Sequence, residues 1–100
     1  MKESVNIHSI HFDADKKLVD FIEKKVAKLE KYYDSIISRE VFLRLDNSQD
    51  NSNKIAEIKL SIPGKDFFAK RQCKSFEEAT DTAIEAVRRQ IMKHKGKAVA

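Results

Sequence analysis

One hundred residues build one domain around a single small core, and a hydrophobic content of 41% excludes wholesale disorder. Twenty Lys and Arg against sixteen Asp and Glu leave a net charge of +4, an excess that permits a polyanionic partner without requiring one. No uncharged apolar run approaches a membrane span, the start MKESVNIHSI carries no apolar leader segment, and the lone Cys73 has no disulfide partner, so a cytoplasmic, membrane-free protein with no cofactor is expected.

Residues from about Glu3 to Ile10 read as a short strand in which Val5 and Ile7 alternate with Ser4, Asn6 and His8. His8 and His11 flank its end without the carboxylates, helical spacing or cysteine pairs of a metal site, and no metal is expected. Asp15 is a good N-cap for a helix running to about Tyr33. Leu18, Ile22, Val26, Leu29 and Tyr33 fall on its apolar stripe. Lys17, Lys24, Lys28 and Lys31 project together on a second stripe, roughly opposite, with Asp20, Glu23 and Glu30 to one side. A lysine stripe is usually a solvated face, but the segregation of Lys from acid makes this one a candidate contact surface.

Asp34 and Ser35 break the helix, and a strand follows from about Ile36 to Asp46. Val41, Leu43 and Leu45 point to one face; Glu40, Phe42 and Arg44 point to the other. The polar run from Asp46 to Asn53 is a hairpin loop. The next strand, about Lys54 to Ile62, turns Ala56, Ile58, Leu60 and Ile62 inward and Ile55, Glu57, Lys59 and Ser61 outward. Pro63-Gly64 forms a tight turn, with Pro presetting one central position and Gly tolerating positive φ at the next. A last strand spans about Asp66 to Cys73, with Phe67, Ala69 and Cys73 inside and Phe68, Lys70 and Gln72 outside; Arg71 shares the inner parity but lies near the strand end, where its head can reach water.

The stretch Ser75 to Lys97 is the strongest helix signal. Ser75 followed by Glu78 is a capping box, Phe76, Ala79, Ala83, Ile84, Val87 and Ile91 make an apolar face, and Gly96 is a plausible stop. Its first half carries Glu77, Glu78, Asp81 and Glu85; Arg88, Arg89, Lys93, Lys95 and Lys97 follow with no further acid. This gradient suits the helix dipole, and it also presents a cationic end to a polyanion.

The order is β-α-β-β-β-α, an α+β fold: a four-stranded sheet with two helices packed on one face, each needing the same sheet surface to bury its stripe. The other face would expose Phe42, Arg44, Lys59, Phe68 and Lys70, aromatics among bases that are candidate RNA contacts. No nucleophile elbow, phosphate loop or zinc spacing is present, and an enzyme is not expected. Double-stranded-RNA-binding domains also set two helices on a sheet, but they place lysines at the start of the last helix, where this chain has Glu77 and Glu78.

KLEKYYD, Lys28 to Asp34, together with RRQIMKHKGK, Arg88 to Lys97, resembles the ribosome hibernation-promoting factors, above all their short form and the related ribosome-associated inhibitor protein Y. Relatives are also labelled sigma-54 modulation proteins. The resemblance covers nearly the whole chain. It implies a partner, the small ribosomal subunit (16S rRNA) and the whole ribosome, bound in the channel shared by mRNA and the tRNA sites so that translation stops. The matching bases are Lys25, Lys28, Arg89, Lys93, Lys95 and Lys97. With Lys24, Lys31 and Arg88 from the same charge clusters they form the candidate rRNA-binding set, and Phe42, Arg44, Phe68 and Lys70 are candidate sheet-face contacts. The long form adds a dimer-forming domain and protein Y an extended tail; this chain ends at Ala100, so one ribosome-binding domain over 1–100, monomeric when free, is expected. A protein-interaction regulator, for example of an alternative sigma factor, is the alternative.

Overall fold

The computed structural model describes residues 5–10, 14–32, 36–46 and 52–99, the side chains of 96–99 excepted. Four strands, β1 (Asn6–Ser9), β2 (Ser38–Leu45), β3 (Lys54–Ile62) and β4 (Lys65–Cys73), form one sheet in that order. β1 pairs parallel with β2; β2, β3 and β4 are an antiparallel meander. Helix α1 (Lys16–Ala27) crosses between β1 and β2 and ends in a 3₁₀ turn over Lys28–Lys31; helix α2 (Phe76–Val99) follows β4. The expected β-α-β-β-β-α order and α+β class are therefore the observed ones.

Period-two and period-3.6 patterning meet in one core. Ile22, Val26 and Leu29 come from α1 and its turn, Val41, Leu43, Ile58, Leu60 and Phe67 from the sheet, and Ala79, Ala83, Val87 and Ile91 from α2, all buried in a single cluster. Small residues at Ala79 and Ala83 let α2 lie close against β3 and β4. Asp15 caps α1, its Oδ1 accepting from the Leu18 N–H at 2.8 Å. Ser75 Oγ accepts from the Glu78 N–H at 3.1 Å, but the reciprocal bond to the Glu78 side chain is not formed among the described residues; that carboxylate is exposed and solvated.

Several boundaries differ from the sequence expectation. Gly96 does not stop α2, which continues to Val99; the positive φ among the described glycines belongs to Gly64, at 82° in the Pro63-Gly64 turn. A glycine in helical φ/ψ costs about 1 kcal/mol but does not end a helix. The α-helical part of α1 stops at Ala27, and Tyr33 lies outside the described residues, as do His11, Glu3, Ser4 and most of the 46–53 loop. Leu45, expected inside, is the last residue of β2 and is 46% exposed. Ile55, expected outside, is buried: Gln72 reaches across β3 from β4, its Nε2 donating to Asp46 Oδ2 at 3.1 Å and Ser52 O at 2.8 Å, and covers it.

Candidate nucleic-acid interface

The geometry that matters is the relative direction of the two helices. Lys25 of α1 meets Asp81 of α2 at 3.0 Å, and further along both chains Arg88 lies 6.0 Å from the centre of the Tyr32 ring. The helices therefore run side by side in the same direction. β4 is antiparallel to α2, so its start lies at that same end, and the His94 and Phe67 rings meet edge to face at 5.6 Å. The basic end of α1, the basic half of α2 and the β3–β4 turn are gathered at one pole of the domain. Both helix C-termini point there, and cations near a helix C-terminus are favoured by about 0.3–1 kcal/mol each.

The candidate cations divide by what already holds them. Lys25 is half-buried, paired with Asp81 and 5.4 Å above the Phe21 ring, and so clasps the helices together. Arg88 donates from Nε to Glu85 Oε1 at 3.2 Å, with a second, shorter bond from Nη2 to Oε2. Arg89 approaches the same carboxylate at 3.7 Å but is 75% exposed. The Arg88 hydrogen bond holds the Glu85 carboxyl below the ordinary glutamate range against the opposing effect of desolvation, with the charges of Arg88 and Arg89 adding to it. Lys24, Lys28, Lys31, Lys93 and Lys95 are exposed and have no acidic partner among the described residues. The Lys97 side chain lies outside the described set.

The open sheet face is a different surface. Its bases alternate with acids: Arg44 pairs with Glu57, and Lys59 lies 4.0 Å from Asp66. Lys70 sits in the cross-strand row of His8, Phe42 and Glu57. Phe42 stacks on His8 with ring centres 4.7 Å apart, so one of its faces is already covered. Phe68 is 49% exposed but lies two strands away, about 10 Å at ordinary strand spacing, and one row removed. The two Phe are not brought together. Bases and acids nearly cancel here, whereas the helical pole keeps unpaired cations.

Residues 5–99 match the family model described as "Sigma 54 modulation protein / S30EA ribosomal protein". The chain belongs to this family. It is 29% identical over 93 residues to the ribosome hibernation promoting factor of Pseudomonas putida, covering 93% of this chain and 87% of that protein. It is 31% identical over 98 residues to the Escherichia coli factor, covering 93% and 94%. The ribosome hibernation promotion factor of Bacillus subtilis is 30% identical over 94 residues, and the match spans 48% of its length. Two solved structures share the fold: the N-terminal domain of Thermus thermophilus Protein Y (TM-score 0.78, 22% identity, 92% and 99% covered) and a ribosomal subunit interface protein from Coxiella burnetii (TM-score 0.81, 17% identity, 92% and 97% covered). Members of this family are ribosome-associated factors rather than enzymes.

Within that family frame, three residues at the pole escaped the sequence reading. Lys65 opens β4 on the same face as Phe67 and Ala69 and overhangs the Phe67 ring at 5.7 Å; starting the strand at Asp66 hid it, although the i, i+2 parity of the strand would have found it. Gln90 clamps the sheet edge, its Oε1 accepting from the Phe68 N–H at 3.2 Å and its Nε2 donating to Phe68 O at 2.7 Å. Arg39 is buried beneath the 3₁₀ turn and paired with Glu30 at 2.8 Å, which holds the lysine-bearing turn against β2. No local signal announces those last two, because each contact joins segments distant in sequence.

Proposed function

We infer that this protein is a ribosome hibernation factor: it binds the small ribosomal subunit through 16S rRNA, in the channel used by mRNA and tRNA, and inhibits translation while the idle ribosome is held. Its contacts are Lys24, Lys28, Lys31, Arg88, Arg89, Lys93, Lys95 and Lys97, with Lys25 positioning the helices. It works in the cytoplasm, where ribosomes are, and is monomeric when free. The observation that carries this reading is the family membership joined to the parallel helices, which bring to one pole exposed lysines that have no acidic partner among the described residues. Such a surface attracts phosphates with little sequence preference, and the mechanism is steric: a compact domain seated among rRNA phosphates leaves no room for other RNA. The sheet face, with Phe42, Arg44, Phe68 and Lys70, is a secondary surface in this reading because its charges are largely paired.

Sucrose-gradient co-sedimentation with small subunits, across a salt series and with or without mRNA and tRNA, tests it. Neutralising roughly five phosphates gives a log affinity that falls against log salt with a slope of about −3.5 to −4.5, and bound tRNA should compete. An affinity indifferent to salt would overturn the reading. The family description also names sigma 54 modulation; binding to a protein partner that survives charge reversal of the pole would favour that function instead.

A further inference from the structure

Between the start of β4 and the last described turns of α2 lies a recess of about 250 Å³ lined by Lys65, Phe67, Gln90, Lys93 and His94. Its floor is the buried Phe67 ring, flanked by the edge of His94 and overhung by the Lys65 ammonium. Its rim is cationic: Lys65 and Lys93 are both exposed, and neither has an acidic partner among the described residues. Gln90 is a fixed wall. Its two bonds to the Phe68 backbone hold the carboxamide in one orientation and leave a second Nε2 hydrogen unused. The volume falls below the roughly 300–1,000 Å³ of sites for drug-sized molecules. It suits one phosphate group with part of its sugar.

We propose that this recess is a one-phosphate site: Lys65 and Lys93, reaching from strand and helix, hold the same phosphodiester of a bound RNA strand. The proposal rests on the rRNA-binding reading and adds a residue, Lys65, and a function to it. Lysines scattered over a convex pole attract RNA without fixing its register. Two lysines converging over a walled recess fix one phosphate, and so the strand that carries it. The RNA backbone is favoured over a free nucleotide because the exposed Arg89 stands one helical turn before Lys93 on the same side of α2, where a neighbouring phosphate of the same strand would lie. The recess also offers no glycine-rich loop to cradle a polyphosphate; Gly64 and Gly96 are the chain's two glycines.

The test compares the wild-type chain, Lys65→Gln, Lys93→Gln and the double variant for small-subunit affinity over a salt series. Each single variant leaves one lysine on the phosphate and should weaken binding with a slope change below about 0.7, whereas the double variant should lose about 0.7–0.9, one phosphate. An unchanged affinity in Lys65→Gln, or an unchanged slope in the double variant, overturns the proposal. So does a loss of about 1.4–1.8 in the double variant, which would mean two independent phosphates. A second arm uses the free protein and a twelve-nucleotide oligouridylate, followed by NMR of the His94 ring. The RNA should shift those signals in wild type and not in Lys65→Gln; no shift in wild type overturns the site. Inorganic phosphate producing the same shift at equal phosphate concentration would make it a free-anion site and overturn the RNA assignment. Because this arm needs no ribosome, it decides the recess even if wild type fails to bind small subunits, which would sink the broader reading instead.

Discussion

Glu85 is the acid set among the pole's cations. It takes hydrogen bonds from Arg88 and attracts Arg89, so both guanidinium groups at the end proposed to face rRNA are partly neutralised from within. Exposed pairs of this kind are weak and screened by solvent, so phosphate can displace them. Glu85→Gln should therefore strengthen small-subunit binding several-fold and steepen the salt slope by up to about 0.9, read in the same co-sedimentation series. Weaker binding would mean that Glu85 orients the arginines rather than competing for them. The sign of its pH dependence follows from the shift. The folded carboxyl titrates below its unfolded value, so the pair's contribution is present above the ordinary glutamate range and disappears as pH falls through the depressed folded value. In a carboxyl-resolved NMR titration, the Glu85 midpoint should fall below the ordinary glutamate range, and Arg88→Gln should move it back up.

At the scale of elements, the edge of the sheet is clamped at one residue, Phe68, by a side chain of its own helix. β4 is an outer strand, and an open edge invites pairing with another chain. Gln90 satisfies both outward backbone groups of Phe68 as a neighbouring strand would. Gln90→Ala should cost about 1–2 kcal/mol in urea denaturation, the net worth of two such bonds, and speed hydrogen exchange at the Phe68 amide. Unchanged exchange there would show that the clamp is not formed in solution. The helices themselves were legible because their signals are local: Asp15 and Ser75 cap them, and apolar stripes mark their faces. The ends were less so. Whether Gly96 ends α2, or Leu45 is covered, depends on what lies beyond the element, and spacing carries no information on that.

At the scale of the molecule, charge is arranged along the common direction of the helices. α1 begins at the opposite pole, where Lys17 is exposed and Lys16 pairs with Asp20 at 3.4 Å. Charge reversal should then depend on position and not on count. Arg89→Glu, Lys93→Glu and Lys95→Glu together should abolish co-sedimentation with small subunits, while Lys17→Glu, although it lies on the same sequence stripe as Lys24 and Lys28, should weaken it by less than about threefold, as a charge beyond one Debye length from the contact is largely screened. Equal losses from both would indicate general attraction to RNA without a defined contact pole.

By itself the sequence determined which segments are strands and helices, which of their faces are apolar, and that each helix carries a basic run. Those properties follow from spacing and capping within a few residues. The tertiary structure alone decided that β1 pairs parallel with β2 and that the two helices run in the same direction, so that their basic ends coincide rather than lie at opposite poles. It also decided which cations are already held: Lys25 by Asp81, Arg88 by Glu85, Arg44 by Glu57. Lys65, a turn residue in the sequence, became part of a walled recess only when β4 met α2. The physical reason is the same in each case. Coulomb and hydrogen-bond energies depend on distance in space, and residues far apart in the chain acquire that distance only on folding.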